Sequence, residues 1–349
     1  MLRKQEKYAE SAKIYRQALE VEEQQLGKGP PKPKDRQWLA NSYTGLALAL
    51  ATLKKMPEAE TAFQQALETR RKLADDYPGV LDYLRELANG TGDFAYILAM
   101  QKKYAAAEEP YRRALEMRKK ILQKAGPVPG YRHELARGYY FLAHVHNLTD
   151  RPKEAESEWH AALKLWRQLA IDLPKVPDFA NGVGSTLTSL AGLHNRRGEF
   201  AAAVDLLTEA RKPLQAALDA RPQDREYRDS HRDYLLALGR GRLGLADHVQ
   251  VATTAEELAR FGFEPAADNY EAASLLGGCA VLAAKDAKLA EAKRKELSQS
   301  YTDRAIVLLR QAVERGFKDA TRLKADPNLE PLRNRPEFQK LLARMGQKK

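Results

Sequence analysis

The sequence predicts an all-α protein built as a stack of antiparallel helix pairs, and three periodic features predict it. The stretch PEAETAFQQAL, Pro57 to Leu67, has an apolar spine of Ala59, Ala62, Phe63, Ala66 and Leu67 that recurs every 48 residues. Phe63 is matched at that interval by Tyr15, Tyr111, Trp159 and Leu207, so one slot holds a large apolar residue five times. Its neighbours are small: Ala18, Ala66, Ala114, Ala162 and Ala210 in one slot, and Ser11, Ala59, Ala107, Ala155 and Ala203 in another. A bulky ring on one helix needs a gap on the next, and repetition of that pairing is the mark of a stacked array. Breakers keep the same register, at Pro30, Pro78, Pro174 and Pro222, with Gly126 and Pro127 filling the remaining slot. Proline lacks an amide hydrogen and disfavours helix in the residue before it, so these positions close one repeat and open the next.

Each full repeat reads as two helices. The first helix of the second repeat runs from about Asp35 to Lys55, with Leu39, Tyr43, Leu46, Ala47, Leu50 and Leu53 on one stripe. Its equivalents begin near Asp82, Gly130, Asp178 and Asp224. The second helix carries the spine and continues through Leu73, Ile121, Leu169 and Ala217. The first seven residues align with the last turn of a first helix, Leu2 matching Leu50, so the chain is expected to start inside a repeat. GKGPPKPK, Gly27 to Lys34, is read as a proline-rich connection.

After Arg221 the register loosens. His248 to Phe261 is expected to partner the helix holding Tyr234, Leu235 and Leu238, followed by helices from about Pro265 to Asp286 and Leu289 to Arg315, the latter ended by Gly316. The tail DPNLEPLRNRPEFQKLLARM predicts two short helices, with Asp326 capping the first ahead of Pro327, that cover the end of the array. The expected organisation is therefore repeats over 1–246 and divergent repeats with a helical cap over 247–349.

Composition narrows the function classes. Charged residues make up 30% and hydrophobic residues 44% of 349, and no apolar run approaches the roughly 20 residues that span a bilayer. Cys279 is the single cysteine, which excludes an internal disulfide framework or a cysteine-rich zinc site. With no apolar core of the signal-peptide type in MLRKQEKYAES, the expected compartment is the cytoplasm. The net charge is +11, and 16 basic against 8 acidic side chains from Lys288 onward place most of it in the C-terminal region. A polyanion-binding surface there would want exposed aromatic rings, but Tyr301, Phe317 and Phe338 sit at spacings that suit a helix core.

In each repeat a pair such as Leu46 and Ala47 is followed by a small residue, Ala59, then an aromatic, Phe63, then Ala66, and a proline closes the unit. This pattern resembles the tetratricopeptide repeat, in a variant of 48 residues rather than the usual 34. Over residues 1–246 the resemblance implies a right-handed superhelical solenoid. DPNLEPLRNRPEFQKLL further resembles the ends of the long-repeat arrays in bacterial multidomain serine/threonine protein kinases.

Chemistry is sparse. GRGRLG, Gly239 to Gly244, has the glycine spacing of a phosphate loop but follows a helical segment rather than a strand, so close helix approach is the expected role. No kinase H-R-D or D-F-G motif occurs. His146 and His194 share one slot with no third ligand in the next repeat, where Arg242 stands, and are read as structural. Cys279 is read as a small core residue. No catalytic residue, cofactor or metal is expected.

The resemblance implies that a partner meets the first helices on the face away from the second. Carried onto this chain, that face holds Asn41, Thr44, Asn89, Tyr96, Arg137, Tyr140, His144, Asn147, Asn195, Arg196 and Arg240. Asparagine and tyrosine can bond a peptide backbone, and arginine can take a carboxylate. The family's lysine-and-asparagine clamp for a terminal carboxylate is not reproduced. The expected function is a non-enzymatic scaffold for a protein or peptide partner, with a kinase docking or sensing arm and a polyanion- or RNA-binding array as alternatives.

Overall fold

The structure, a computed structural model, describes residues 2–26 and 32–346, and everything regular in them is helical. Fifteen α-helices occur among the described residues: α1 Leu2–Leu26, α2 Pro33–Thr52, α3 Met56–Asp76, α4 Leu81–Met100, α5 Tyr104–Ala125, α6 Pro129–Leu148, α7 Pro152–Asp172, α8 Pro177–Arg196, α9 Phe200–Ala220, α10 Arg225–Gly244, α11 His248–Phe261, α12 Pro265–Lys285, α13 Glu291–Glu314, α14 Ala320–Ala325 and α15 Pro336–Gly346. A 3-10 helix, Pro327–Leu332, stands before α15. The chain divides into two compact units, residues 1–165 and 166–349, with the boundary inside α7.

The sequence period is also the structural one. The first helices start at Pro33, Leu81, Pro129, Pro177 and Arg225, and the second helices at Met56, Tyr104, Pro152, Phe200 and His248, each set 48 residues apart. Proline at the first helical position of α2, α6 and α8 explains why those starts are fixed: its φ is already helical and its missing N–H has no intrahelical partner to lose.

The turn inside each pair has a fixed form. Lys54, Lys102, Asp150, Gly198 and Ala246 occupy one slot, and all five have positive φ, between 57° and 75°. The next residue in each turn bonds back to the carbonyl five positions earlier, as in Lys55 N–H to Leu50 O at 2.9 Å and Arg151 N–H to His146 O at 2.8 Å. This is the left-handed closure with its six-to-one bond that ends many helices, usually on glycine. Only Gly198 supplies that residue here.

In the first unit, Phe63 and Tyr111 fill the large slot and are buried, with Ala59, Ala66, Ala107 and Ala114 fully buried beside them. Phe63 joins a core of Leu39, Leu46, Ala47, Leu50 and Ile97. Tyr111 joins one of Ala95, Leu98, Leu115, Leu135, Leu142 and Val145. Truncating such a ring would cost about 3–5 kcal/mol, because the alanine lattice cannot close the hole. In the second unit Leu207, Leu214 and Ala210 of α9 are buried in the same way.

One expectation needs correction. Residues 2–7 do not end a separate helix; they run on into α1 as one helix, because no residue near Glu6 adopts the left-handed turn conformation found at the slot's other positions. The tail from Asp326 holds the two expected short elements, the 3-10 helix that Asp326 caps through Asn328 N–H at 2.9 Å and α15, and a further short helix the sequence reading did not assign, α14, capped by Asp319 through Arg322 N–H at 2.8 Å, precedes them. Of the proline-rich connection, Lys32 is the cap of α2 and Pro33 and Lys34 belong to it, while Gly27 to Pro31 lie outside the described residues.

Candidate functional site: the first-helix face of the N-terminal unit

The first helices of this unit leave large apolar side chains in solvent at recurring positions. Leu48 and Tyr96, 48 residues apart, are 49% and 46% exposed, and Met100 and Leu148, another such pair, are 61% and 54% exposed. They lie on the C-terminal halves of α2, α4 and α6. An apolar run spaced by the repeat and turned outward is what the core pattern does not require.

On the N-terminal halves the face is polar and is organised by two arginines of the second helices. Arg70 of α3 donates from Nη2 to Oδ1 of Asn41 in α2 at 3.1 Å, and Arg118 of α5 donates from Nη2 to Oδ1 of Asn89 in α4 at 3.3 Å. Each guanidinium lies against the backbone of the next first helix. A Cβ added at Gly90 would fall 2.6 Å from Arg70 Nη1, and one at Gly138 3.0 Å from Arg118 Nη1. The glycines are therefore what lets a charged planar group sit between neighbouring first helices. Arg70 is only 8% exposed, and its Nε and Nη1 are buried without a hydrogen-bond partner, as is Nε of Arg118. Burial pulls both guanidinium pKa values below the ordinary arginine range.

Asp93 lies in the field of Arg137, Arg118 and Arg70, yet burial outweighs them and raises its carboxyl pKa. It makes no direct bond to any of the three among the described residues. Arg137 lies with its guanidinium 5.7 Å from the centre of the Phe141 ring and has no ion pair among the described residues. Phe141 is also met edge-on by Tyr96 at 5.8 Å and by Tyr140 at 5.6 Å, and is stacked with Tyr111 at 6.1 Å. Of the other carboxylates nearby, Glu134 accepts from Arg85 at 2.8 Å and from Asn89 at 3.3 Å, and Glu86 accepts from Gln37 at 3.1 Å through Oε1 while its Oε2 is buried without a hydrogen bond.

The sequence-predicted residues divide accordingly. Tyr96, Arg137, Tyr140 and His144 are joined through Phe141 and Tyr140, while Asn41 and Asn89 each accept from a second-helix arginine. Tyr140 and His144 meet at 4.5 Å, His144 meets Trp159 edge-on at 5.2 Å, and burial lowers the His144 pKa to about 4, so its ring is neutral at pH 7. Thr44 turns its hydroxyl to Ala40 O at 2.8 Å in its own helix. Asn147 is half-buried near the end of α6. In the second unit, Asn195 is occupied in fold, donating to Ala237 O of α10 at 2.9 Å, while Arg196 and Arg240 are exposed.

Arg70, Arg118 and Asp93 were missed by the sequence reading. The signal for the first two was available, since Arg70 and Arg118 share a repeat slot. In the second unit the same slot holds Trp166, which lies against Gly182, and Leu214, which lies against Gly184. The slot changes from charged to apolar along the chain, so the arginine arrangement belongs to the N-terminal unit.

The remaining polar clusters read as structure. His146 contacts Glu158 at 2.8 Å and Glu108 at 3.5 Å; Arg151 holds the Glu108 carboxyl near a pKa of about 2, and burial lifts that of Glu158 to about 7. His194 pairs with Glu199 at 2.5 Å. Cys279 comes close to His248, but its Sγ donates to the backbone carbonyl at 3.3 Å while the ring meets Tyr301 Oη at 3.0 Å and Asp286 at 3.4 Å. Burial pushes that thiol up to about 12, the reverse of an activated nucleophile. GRGRLG lies in α10, and a Cβ at Gly239 or Gly244 would strike Leu275 or Phe200, so these glycines serve close approach. Tyr301 and Phe338 are buried, and Phe317 is stacked on Tyr270 at 4.5 Å. Among the described residues no helix is long and apolar enough to cross a membrane, and no group of three or more potential ligands could hold a metal.

The comparisons agree with this architecture. Residues 38–120 match the family model for the tetratricopeptide repeat. That segment carries repeats of that type. The matched segment covers α2 to α5 and with them both arginine–asparagine pairs. No curated protein matches the sequence. Among solved structures, a signal transduction ATPase with numerous domains from Pyrococcus horikoshii, described as having a tetratricopeptide repeat sensor, is 14% identical, with a TM-score of 0.55, over 89% of this chain and 44% of that one. BtubC from P. vanneervenii is 16% identical, with a TM-score of 0.53, over 73% of this chain and 90% of that one. Nro1, described as a nuclear import adaptor and known from S. pombe, is 11% identical, with a TM-score of 0.50, over 98% and 99%. At these identities the likeness is one of fold.

Proposed function

We propose that the chain is a non-enzymatic interaction scaffold whose N-terminal unit holds a segment of a protein partner against the first-helix face. The observation that carries this reading is the outward apolar series Leu48, Tyr96, Met100 and Leu148 beside the polar set around Arg137. Repeats of the tetratricopeptide type, and neighbours described as an adaptor and as a sensor-bearing protein, support it. We read the repeat as a long, 48-residue form of that family, and place the protein in a bacterial cytoplasm.

The test is a photo-crosslinking amino acid at position 96, compared with one at the exposed Arg113 position of α5. A partner crosslinked from 96 and not from 113, whose binding to purified protein falls at least tenfold in Tyr96→Ser/Met100→Ser with helicity unchanged, supports the groove. Equal crosslinking from both positions, or binding unmoved by the double variant, sinks it.

A second reading is favoured by the sensor description of the Pyrococcus protein together with the tail DPNLEPLRNRPEFQKLL: a docking or sensing arm for a serine/threonine kinase. Co-purification of a kinase catalytic domain, lost when residues 320–346 are removed from a chain that stays helical, would support this arm. Phosphotransfer machinery recovered without such dependence would count against it.

A further inference from the structure

The open face of the first helices in the N-terminal unit repeats in rows. One row is Leu48, Tyr96 and His144, the next Thr52, Met100 and Leu148, and the last Lys54, Lys102 and Asp150, each member 48 residues from its neighbour. His144 is turned against Tyr140 and Trp159, so the outward apolar residues are Leu48 on α2, Tyr96 and Met100 on α4, and Leu148 on α6. The edge of this band toward the turns carries Lys54 and Lys102, both exposed and without an ion pair among the described residues, and ends on the exposed Asp150. The next residues along the chain, Lys55 and Lys103, are the paired ones, with Glu58 at 3.4 Å and Glu60 at 2.6 Å. The opposite edge is mixed, with Asn41, Asp93 and Arg137 exposed. Spacing selects what can lie along such a band. Packed helices stand about 8–10 Å apart. An α-helix laid across the first helices rises about 1.5 Å per residue, so about seven residues carry it over one spacing and return its side chain to the same face. A strand covers that distance in about three residues, which turns the side chain to the other face. A helix therefore meets successive first helices with one apolar stripe, and a strand does not.

We propose that the partner segment is an amphipathic α-helix of about 15 residues, apolar at i and i+7 with acidic residues along the edge that faces Lys54 and Lys102. Its stripe rests on Leu48, on Tyr96 with Met100, and on Leu148. The acidic residues belong to the part lying over α2 and α4, because Asp150 reverses the sign of the row at α6. Asp93, on the other edge over α4, repels a carboxylate placed there, so the charges set which side of the helix faces the turns. This inference rests on the groove reading above and names the kind of segment that the groove selects.

The test is selection from a phage-displayed library of random peptides of about 16 residues on the purified full chain, run in parallel on Tyr96→Ser/Met100→Ser and on Lys54→Glu/Lys102→Glu. Both lysines are exposed turn residues, so their reversal should leave the fold intact, and circular dichroism checks this. Sequences enriched on the wild type and absent from Tyr96→Ser/Met100→Ser are expected to share apolar residues at i and i+7 with Asp or Glu beside them. The strongest of them, made as a free fluorescein-labelled peptide, should become helical on binding and bind Lys54→Glu/Lys102→Glu about fivefold to tenfold more weakly by anisotropy. Groove-dependent sequences that alternate apolar and polar residues, or that bind the charge-reversed variant as well as the wild type, overturn the proposal and leave the groove in place. So does a selection that enriches nothing while position 96 still crosslinks a partner. Crosslinking from position 96 to a second copy of this chain overturns it by naming another occupant. Equal enrichment on Tyr96→Ser/Met100→Ser, or neither enrichment nor crosslinking, sinks the groove and the helix together.

Discussion

Arg70 lends one hydrogen bond to Asn41, across 3.1 Å, and has nothing to bond with its remaining buried nitrogens. The pair is therefore lopsided. Losing the asparagine strips a buried cation of its one hydrogen-bond partner among the described residues, whereas losing the arginine removes the buried charge itself.

From this asymmetry, Asn41→Ala is expected to destabilise by about 1–3 kcal/mol. Arg70→Met, which keeps the side-chain length and drops the charge, is expected to stay within about 1 kcal/mol of the wild type or to exceed it. Urea denaturation of both variants checks the order. A larger loss in Arg70→Met than in Asn41→Ala would mean that the guanidinium is a net structural support.

Glycine tolerance should split by neighbour. At Gly277 a Cβ would fall 2.2 Å from the backbone oxygen of Asn328, so Gly277→Ala must push the 3-10 helix away and should cost about 1–3 kcal/mol. At Gly192, inside α8, a Cβ meets nothing within 4 Å, and Gly192→Ala should stabilise by about 0.5–1 kcal/mol. Thermal or urea unfolding of the two variants side by side tests the contrast.

The turn slot predicts gains. Ala246 has φ near +58° and Lys102 near +62°, conformations that glycine adopts freely. Ala246→Gly and Lys102→Gly should each raise stability by up to about 1 kcal/mol. The reverse change, Gly198→Ala, should lower it by a similar amount, and equilibrium denaturation reads all three.

Stability should also depend on pH through His144. Its pKa is about 4 in the folded chain against an ordinary value near 6.5, so between these values the unfolded chain binds the extra proton. The folded state thus loses stability as pH falls from about 6.5 to 4. In His144→Phe, which keeps a ring beside Tyr140 and Trp159, the urea midpoint should fall less steeply over that window than in the wild type. Parallel slopes would show that His144 titrates normally.

The sequence revealed the periodic features and hid the exceptions to them. Phe63, Tyr111, Trp159 and Leu207 announced the period, because a core slot must be refilled with bulk at every copy. The helix starts followed within a few residues, since proline marks them. The turn slot was invisible: Lys54, Lys102 and Ala246 are not left-handed formers and Asp150 is only an occasional one, and the six-to-one bond imposes the conformation on them. The candidate site was half legible. The first-helix residues Asn41, Asn89 and Arg137 follow from knowing which face is open, but the arginines that order them come from the second helices, where residues at their spacing are expected to be core. Asp93 has no periodic partner of its kind, with Gly45 and Phe141 in the adjacent copies, so no pattern could select it.

The uniform turn also bears on how such a chain can change length. Joints that depend on a shared backbone closure, and barely on residue type, are interchangeable. Cutting after Lys55 and rejoining at Tyr104 would remove one 48-residue period and bring the residue before α3 to the start of α5, where Lys103 now stands in the same backbone state. Recombination at these joints would delete or duplicate a helix pair without inventing a new connection, leaving the length of the array free to vary; the cut named here removes Arg70 and Asn89 together and brings Arg118 into the place of Arg70 beside Asn41.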